Sequence, residues 1–388
     1  MKNIVQVCHH PFPSLGGPAK TIQQFHAAVG ARTIGFVAPG RFSAEKTVVP
    51  LVAQVSCLGG RMAHYHYALP SGTAAAEKII LGADMVLLHG LFTHAPVWAA
   101  GVCVRHGVPF AVALHGYLDP WALKKSRLLK EMWLHQYGTE VLARASAVIC
   151  ATRRETEKVA PLLPRETRRR VIPWACEVPE EKIAGPRREK LRRELGFDEA
   201  DRVLVYFGRL HSMKRPLETL RLAATLREPR LKLLVVGPDE DVSRSRLEDE
   251  ARKLHWDGLR VVGPVFGDAK FDFLAIADGY VSLSFRENFN YTLAEAMATG
   301  LPPILSPGND LGWEFAEEKF SWQLKTDDPD EALRALAEFV ALPAPALAER
   351  GARARDWARR NLSMDQLEQK LNELIREGLR DRVALSVH

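Results

Sequence analysis

Two carboxylates flank a predicted strand-to-helix turn in residues 284–302, SFRENFNYTLAEAMATGLP. Glu287 falls in the loop after a short apolar run, and Glu295 falls inside the helix that follows. Asn290 is a favourable N-cap for that helix, and Gly300 is a favourable stop. Loops at the carboxyl ends of parallel strands face ligands, and a helix start offers free N–H groups to a phosphate. The pattern indicates a nucleotide-sugar site, in which one carboxylate binds sugar hydroxyls and the other binds ribose hydroxyls.

A glycine and two cations follow another predicted strand, in the stretch 203–216, VLVYFGRLHSMKRP. Gly208 permits close approach of the backbone, Arg209 forks onto two oxygens, and Lys214 supplies a point charge. This layout suits a diphosphate. Two cations on an ordinary surface are the alternative explanation.

Glycine and histidine residues end three further predicted strands. Gly16 and Gly17 follow the first strand, where their amides would approach a phosphate or the acceptor, or simply form a tight turn. They do not complete a G-x-G-x-x-G fingerprint, so the main support for a dehydrogenase is missing. His115 ends one strand at the expected crevice, and His89 ends another, where it contacts an acceptor or is merely a loop histidine.

Composition indicates an ordinary globular chain with room for two domains. The 388 residues are 47% hydrophobic and 26% charged, and no apolar run is long enough to span a bilayer. The beginning of the chain does not resemble a signal peptide, so we expect a cytoplasmic protein. Five scattered cysteines without a C-x-x-C pair favour neither a disulfide framework nor a zinc site.

The net charge of +6 is concentrated in residues 121–216, which contain 22 Lys and Arg against 13 Asp and Glu. A basic face attracts anionic partners such as a membrane surface, although a solvated surface explains it equally well. No nucleic-acid signature accompanies it, and nucleic acid is not expected as a partner. The prominent cations on one predicted helix are Lys124, Lys125, Arg127 and Lys130. We expect them to hold the protein on the inner face of a membrane, if they bind anything.

Alternating strand and helix patterns predict the elements that position these residues. In the first half the predicted strands are 4–8, 33–37, 85–89, 110–115, 147–150 and 171–172, and the predicted helices are 21–28, 74–81, 96–105 and 122–143. In the second half the strands are 202–207, 232–236, 259–262, 279–283 and 303–305, and the helices are 217–226, 245–254, 271–277, 329–341, 345–361 and 364–379. This order predicts two doubly wound parallel sheets. The predicted domains are 1–172 joined by 362–388, a connection at 173–198, and 199–361.

The stretch from Ser284 to Pro302 resembles the E-x7-E signature of the retaining, GT-B-fold glycosyltransferases called group 1 or family 4. The residues from 208 to 214 are similar to the G-R-x-x-x-x-K motif of the same family. The resemblance covers nearly the whole chain. It implies two Rossmann-like domains facing a central cleft, with the C-terminal helix crossing back to the first domain.

The resemblance also implies roles for individual residues. Glu287 and His115 would contact the transferring sugar and Glu295 the ribose, while Arg209 and Lys214 would bind the donor diphosphate and assist catalysis. The loop residues Asn288, Phe289 and Asn290 would bind the donor, as would Gly16, Gly17 and Gly208. The resemblance implies a nucleoside-diphosphate sugar as donor and a glycan or a lipid-linked hydroxyl as acceptor, and no cofactor or metal is expected.

The chain departs from the family pattern at three places. Asn290 stands where glycine is usual, and Asn is the residue that best replaces glycine in a left-handed backbone. Arg215 also replaces a usual glycine. Trp174 stands where an Asn-Gly turn is usual, and either narrows the cleft or packs the hinge.

Other interpretations of the sequence use the same residues differently. An NAD-dependent oxidoreductase agrees only with the α/β layout, and a non-catalytic protein that binds polyanions or membranes agrees with the basic segment. Asp239, Glu240 and Asp241 match a D-x-D metal signature, but no further oxygen ligands accompany them, so we reject a metal role.

Overall fold

The chain divides by its internal packing into two compact units. Unit 1 comprises Met1–Ala175 with Met364–His388, and unit 2 comprises Cys176–Ser363. Each unit is built on its own sheet, mainly parallel in unit 1 and parallel in unit 2, which confirms two Rossmann-like α/β domains. The computed structural model describes residues 2–9, 11–37, 46–58, 69–71, 73–124, 126–176 and 185–386. Lys125 and residues 177–184 of the predicted connection lie outside this description.

Unit 1 contains an eight-stranded sheet within its described residues. Its strands are β1 (Ile4–His9), β2 (Arg32–Val37), β3 (Leu51–Leu58), β4 (Leu69–Ser71), β5 (Met85–His89), β6 (Phe110–Ala113), β7 (Ala147–Cys150) and β8 (Arg169–Val171). The order across the sheet is β4-β3-β2-β1-β5-β6-β7-β8, with β4 antiparallel to β3 and the other neighbours parallel. Every residue of β5 and β6 is buried, as expected for parallel strands covered on both faces.

Helices cover the sheet of unit 1. They are α1 (Gly17–Val29), α2 (Thr73–Leu81), α3 (His94–His106), α4 (Pro120–Lys124), α5 (Arg127–Trp133), α6 (Thr139–Arg144), α7 (Arg153–Val159) and, from the end of the chain, α15 (Met364–Ser386). The last helix packs on α1 and β5. Among the described residues, no helix combines the length and the apolar character needed to cross a bilayer.

Unit 2 repeats the architecture with a six-stranded sheet in order β11-β10-β9-β12-β13-β14, all neighbours parallel. The strands are β9 (Arg202–Phe207), β10 (Leu231–Val236), β11 (Leu259–Val262), β12 (Gly279–Ser282), β13 (Pro303–Leu305) and β14 (Trp322–Gln323). The helices are α8 (Gly185–Glu194), α9 (Pro216–Thr225), α10 (Arg244–Lys253), α11 (Ala269–Ala275), α12 (Tyr291–Thr299), α13 (Pro329–Ala341) and α14 (Ala344–Asn361).

Three strands, one short helix and one long helix differ from the prediction, and the short helix is α7, which was not predicted. The sequence analysis missed β3, β4 and β14, because β4 and β14 are too short for a pattern and β3 is partly exposed. The predicted continuous helix 122–143 is wrong. Ser126 takes a left-handed conformation with φ 57°, which separates α4 from α5, and a π-helical turn at Leu134–Gly138 joins α5 to α6.

Candidate active site

In unit 2, Lys214 and Glu287 form an ion pair beyond the carboxyl ends of the neighbouring strands β9 and β12. Each side chain is 15% exposed, so the two charges are largely removed from solvent and depend on each other. The loops that carry them are tied together, because the backbone N–H of Phe285 donates to the carbonyl of Met213 at 2.8 Å. The structure thus brings the predicted sugar-binding carboxylate and the predicted diphosphate-binding cation into direct contact.

The loop of Glu287 is also held from the opposite side by residues that the sequence analysis missed. The N–H of Glu287 donates to the carbonyl of Gly308 at 2.8 Å, and the N–H of Asp310 donates to the carbonyl of Glu287 at 2.9 Å. A Cβ on Gly308 would lie 2.3 Å from the carbonyl oxygen of Phe285, so only glycine fits there. The Gly308-Asn309-Asp310 triplet, which follows β13 after Ser306 and Pro307, was the available signal of a turn.

Asn290 caps α12 and organises a buried polar network. Its Oδ1 accepts from the N–H of Leu293 at 3.2 Å, and its Nδ2 donates to the hydroxyl of Tyr280 at 3.2 Å and to Oδ1 of Asn309 at 3.3 Å. The predicted N-cap is therefore confirmed. The backbone of Asn290 is not left-handed, since its φ is −85° and its ψ is 94°, the extended conformation of a helix cap.

Of the two positions where the family usually has glycine, Arg215 is the one with a left-handed backbone. Its φ is 54° and its ψ is 48°, a conformation that glycine adopts without cost and other residues adopt at about 1 kcal/mol or more. The guanidinium pairs with Asp327 at 2.6 Å and lies 5.2 Å from the ring centre of Phe285. These contacts hold the side chain beside the loop of Glu287 despite the backbone strain.

Arg209 lies in a more open position than Lys214. Its Nη1 donates to both carboxylate oxygens of Glu240 at 2.6 Å, and its side chain is 53% exposed. The backbones of the neighbouring Gly208 and of Gly237 are in close contact. A Cβ on Gly237 would lie 1.8 Å from the carbonyl oxygen of Gly208. Arg209 and Lys214 therefore differ in burial, although both belong to one loop.

The acidic run after β10 holds the loop that carries Arg209 and Lys214. Besides the contact of Glu240, Asp241 accepts from the N–H of Ser212 at 2.7 Å and from its hydroxyl, and this hydrogen bonding lowers the pKa of Asp241. Asp239 accepts from the N–H of Arg244 at 3.1 Å. The residues of the rejected D-x-D signature thus each have a protein partner.

Glu295 faces inward from α12 and pairs with Lys270 at 2.9 Å, with only 5% of its side chain exposed. Lys270, at the start of α11, was missed because no motif marks it. Nearby, Phe289 is buried and packs edge-on against Tyr291, with ring centres 5.0 Å apart. Oδ1 of Asn288 is buried and has no hydrogen-bond partner among the described residues.

In unit 1, the two predicted histidines form one hydrogen-bonded chain with Gln6. Nε2 of Gln6 donates to the carbonyl of Ile22 at 3.1 Å, which turns its Oε1 toward Nε2 of His89 at 3.0 Å. Nδ1 of His89 in turn lies 3.0 Å from Nε2 of His115. Because Oε1 of Gln6 only accepts, a neutral His89 donates from Nε2 and accepts at Nδ1, and His115 donates from Nε2.

Burial keeps both histidines neutral. It lowers the pKa of His115 to about 4, and it lowers the pKa of His89 well below its usual value, with the charge of His115 adding to the effect. Gln6 was missed, although a glutamine inside the apolar strand Ile4–His9 was a usable signal. Both ring nitrogens of His89 thus have protein partners in this chain.

His115 itself has a strained backbone, with φ 53°. The turn is held by Glu155, another residue that the sequence analysis missed. Its carboxylate accepts from the N–H groups of Gly116 at 2.8 Å and Ala151 at 2.6 Å. Trp174 is buried within unit 1, and its ring centre lies 5.5 Å from that of His115.

Gly16 and Gly17 lie at the start of α1, beside the two histidines. Gly16 precedes the helix with φ 72°, and Gly17 is its first residue. Their neighbours Leu15 and Pro18 line a small cavity of about 30 Å³ that His89 and His115 also line. Gly16 and Gly17 are therefore close to the two histidines in unit 1.

Comparison with known proteins agrees with this geometry. Residues 187–357, which lie within unit 2, match the family model of glycosyl transferases group 1. The chain is 29% identical over 317 residues to the GDP-mannose:cellobiosyl-diphosphopolyprenol alpha-mannosyltransferase of Xanthomonas oryzae, covering 78% of each protein. It is 31% identical over 162 residues to D-inositol 3-phosphate glycosyltransferase 2 of Catenulispora acidiphila, covering 39% of this chain and 38% of the relative. These matches support a glycosyltransferase.

A solved structure supports the fold. HepE of Anabaena, in complex with UDP and glucose, superposes with a TM-score of 0.76 at 17% identity, covering 97% of this chain and 100% of that one. At this identity the likeness shows the fold, which is the two-domain fold of GT-B glycosyltransferases. The comparisons do not favour the oxidoreductase or the non-catalytic binding protein.

Proposed function

We propose that the chain is a retaining glycosyltransferase of the E-x7-E type. It transfers a hexose from a nucleoside-diphosphate sugar to a hydroxyl of a glycan or lipid-linked acceptor, in the assembly of a cell-surface polysaccharide or glycolipid. The domain boundaries and residue roles expected from the sequence, apart from the role of His89, are part of this proposal.

The observation that carries the proposal is the partly buried pair of Lys214 and Glu287 beside the capped start of α12. A diphosphate takes Lys214 as its partner in place of Glu287, and Glu287 then accepts hydrogen bonds from hydroxyls of the sugar. The free N–H groups of α12 bind a phosphate oxygen. One compact arrangement thus offers cationic partners for a diphosphate and an anionic partner for sugar hydroxyls.

The remaining donor contacts surround this pair. Arg209 exchanges Glu240 for a phosphate oxygen, and Gly208 leaves room for the diphosphate beside Lys214. Glu295 accepts from the ribose hydroxyls, and Asn288 offers its buried Oδ1 to the donor. Phe289 and Asn290 hold the shape of the loop.

Unit 1 contributes uncharged hydrogen-bonding groups. His115 bonds a hydroxyl of the transferred sugar, and Gly16 and Gly17 offer backbone amides to the donor phosphates or the acceptor. For His89 we propose that it acts through His115 in place of the acceptor contact expected from the sequence, because its ring nitrogens bond Gln6 and His115.

The reaction breaks the bond between C1 of the sugar and the phosphate oxygen and forms a bond from C1 to the acceptor oxygen. The acceptor hydroxyl gives its proton to the departing phosphate. Lys214, Arg209 and the amides of α12 stabilise the negative charge that develops on the leaving diphosphate. Positioning of donor and acceptor supplies the rest of the rate.

The named relatives narrow the substrates to be tested. The Xanthomonas relative uses GDP-mannose and a polyprenol-linked acceptor by its name, and HepE was solved with UDP and glucose. We therefore propose a nucleotide-hexose donor and favour a lipid-linked acceptor, with the protein acting at a membrane surface.

The decisive experiment measures hydrolysis and transfer with UDP-, GDP- and ADP-hexoses, with and without EDTA. NMR of the product then gives the anomeric configuration. Turnover of one nucleotide sugar with retention is the expected result. An inverted linkage contradicts the family proposal, and turnover that returns only with Mg²⁺ or Mn²⁺ contradicts the expectation that no metal is required.

A further inference from the structure

The outer face of α5 carries a group of exposed apolar side chains. Leu128 is 76% exposed, Leu129 is 53% exposed and Met132 is 62% exposed. They lie within little more than one helical turn, while Trp133 of the same helix is buried and attaches it to the core. Single exposed apolar residues are ordinary, but neighbouring ones on one helix indicate an interaction surface.

The apolar surface continues beside α5. A groove of about 400 Å³ lies between the α4–α5 segment and the turn after α7. Leu123, Leu134, Pro161 and Leu162 line it, and Leu162 is itself 41% exposed. The exposed helix face therefore adjoins a second apolar surface.

The cations of this region are arranged differently from the expectation. The Nζ of Lys130 is turned toward the chain, where it donates to the carbonyl of Ala122 at 2.5 Å and lies 5.4 Å from the ring centre of Phe92. Arg127 pairs with Glu131 at 2.6 Å, although its side chain remains 72% exposed. Lys124 is exposed at the end of α4. The basic character is real but weaker than the sequence indicated, and apolar side chains occupy the outermost positions.

Aromatic rings stand on both sides of α5 along the chain. Trp121 is 41% exposed and Tyr137 is 40% exposed. Trp and Tyr are enriched where proteins meet the boundary between lipid and water, because one part of the ring is apolar and another forms hydrogen bonds. Apolar, aromatic and basic side chains together are the composition of an interfacial lipid-binding surface.

We propose that α4 and α5 dock on an anionic lipid bilayer, with Leu128, Leu129 and Met132 inserted among the lipid chains and Lys124 and Arg127 at the headgroups. Docking would bring the protein to a lipid-linked acceptor, which is held at a bilayer, and in this respect it rests on the proposed function. The docking itself is measurable without turnover.

A second copy of this chain is the competing occupant of the apolar face. A symmetric dimer would bring the same patch of both copies together, so Lys124 and Arg127 of one copy would approach those of the other. Like charges at a desolvated contact oppose association, whereas anionic headgroups favour it. The charge of the patch therefore favours the bilayer.

Insertion and electrostatic attraction respond differently to salt. Screening shortens the field of a charge to about 8 Å at physiological ionic strength and about 3 Å at 1 M. Burial of apolar side chains is not screened in this way. Binding that depends on the three apolar residues should weaken with salt but persist, whereas binding through the cations alone should disappear.

The test is co-sedimentation of the full chain with phosphatidylcholine vesicles, with and without about one third phosphatidylglycerol, at low and high salt. A Leu128→Ser/Leu129→Ser/Met132→Ser variant should lose at least about tenfold in partitioning at either salt. A Lys124→Gln/Arg127→Gln variant should lose only the salt-dependent part. The matched control is Leu254→Ser/Phe266→Ser, which removes apolar residues of unit 2 that are 41% and 77% exposed.

Three outcomes would overturn the inference: no binding of the parent to anionic vesicles, equal binding of the triple variant, or a dimer of the parent that the triple variant dissociates. Hydrolysis of the nucleotide sugar, measured without lipid, should be the same in parent and triple variant. If vesicle binding behaves as expected but no nucleotide sugar is turned over, the proposed function fails and the lipid-binding surface stands.

Discussion

Each unit has a group of polar side chains where its parallel strands end, and the two groups differ in charge. In unit 2, Lys214 and Glu287 are both ionic and compensate each other within a largely buried contact. In unit 1, His89 and His115 are neutral and connected by hydrogen bonds that begin at Gln6. A buried charge requires a partner, whereas a neutral imidazole needs only a hydrogen bond. Unit 2 is therefore suited to a charged ligand group, and unit 1 to an uncharged one such as a hydroxyl.

The largest effect should come from removing the buried cation of unit 2. Lys214→Ala removes a charge-assisted contact worth about 1.5–3 kcal/mol, so the Kd of the free nucleoside diphosphate should rise roughly ten- to hundredfold. Arg209→Ala should cost less, because Arg209 is 53% exposed and solvent screens it. Calorimetry with UDP and GDP measures both.

Arg230→Ala is the matched control for these substitutions, because Arg230 is 47% exposed and precedes β10 at the opposite end of the strand from Gly237. If Lys214→Ala binds every nucleoside diphosphate as tightly as the parent, Lys214 has no part in the donor site. If Arg209→Ala raises the Kd of the nucleoside diphosphate more than Lys214→Ala does, burial does not decide which cation contributes more to binding.

The next effect separates binding from catalysis at Glu287. Glu287→Gln keeps the shape of the side chain but leaves Lys214 without its compensating charge. The nucleoside diphosphate should therefore bind at least as tightly as to the parent, while kcat falls by about tenfold or more because the sugar loses its charged acceptor. Steady-state kinetics and calorimetry on the same preparation measure the two quantities. Weaker binding together with normal kcat would assign Glu287 to the diphosphate instead.

A third, smaller effect is expected at Glu295, the second carboxylate of the E-x7-E stretch. Glu295→Gln should raise the Kd of the donor by roughly tenfold and change kcat little, because the ribose contact is the same before and during the reaction. Lys270→Met tests whether the ion pair with Lys270 is needed to position Glu295. A large loss of kcat in Glu295→Gln would exchange the roles given to the two carboxylates.

The sequence predicted much of this arrangement, and its failures have physical causes. Glu287, Lys214 and Asn290 follow strands whose bounds are clear from apolar runs, so their placement at strand ends was accessible. The contacts of Gly308 with Glu287 and of Glu155 with Gly116 were missed because they join residues that lie far apart in the sequence; the Gly-Asn-Asp run at Gly308 marks a turn but not the loop that it holds. Side chains that pair with the predicted residues, such as Lys270 with Glu295, were also missed because no local pattern links residues far apart in the sequence.

A separate effect, on stability rather than on binding or catalysis, concerns the neutral centre of unit 1 and appears as a pH dependence of the free energy of unfolding. Burial lowers the pKa of His115 to about 4, whereas the unfolded chain has an ordinary imidazole that takes up a proton near pH 6.5. The unfolded state therefore binds more protons than the folded state between pH 6.5 and 4, and the free energy of unfolding should fall as the pH falls through this window. The full contribution is roughly 3 kcal/mol, present above pH 6.5 and lost below pH 4.

Denaturant titrations of the parent and of His115→Asn at steps from pH 8 to pH 4 measure this contribution. Asparagine tolerates the left-handed backbone at this position but does not take up a proton, so the variant should lose less stability across the window than the parent. Comparison with stability at pH 8 corrects for any loss of packing. If parent and variant lose stability in parallel, His115 is not held neutral by its surroundings, and the contrast between a neutral centre in unit 1 and an ionic one in unit 2 fails at that residue.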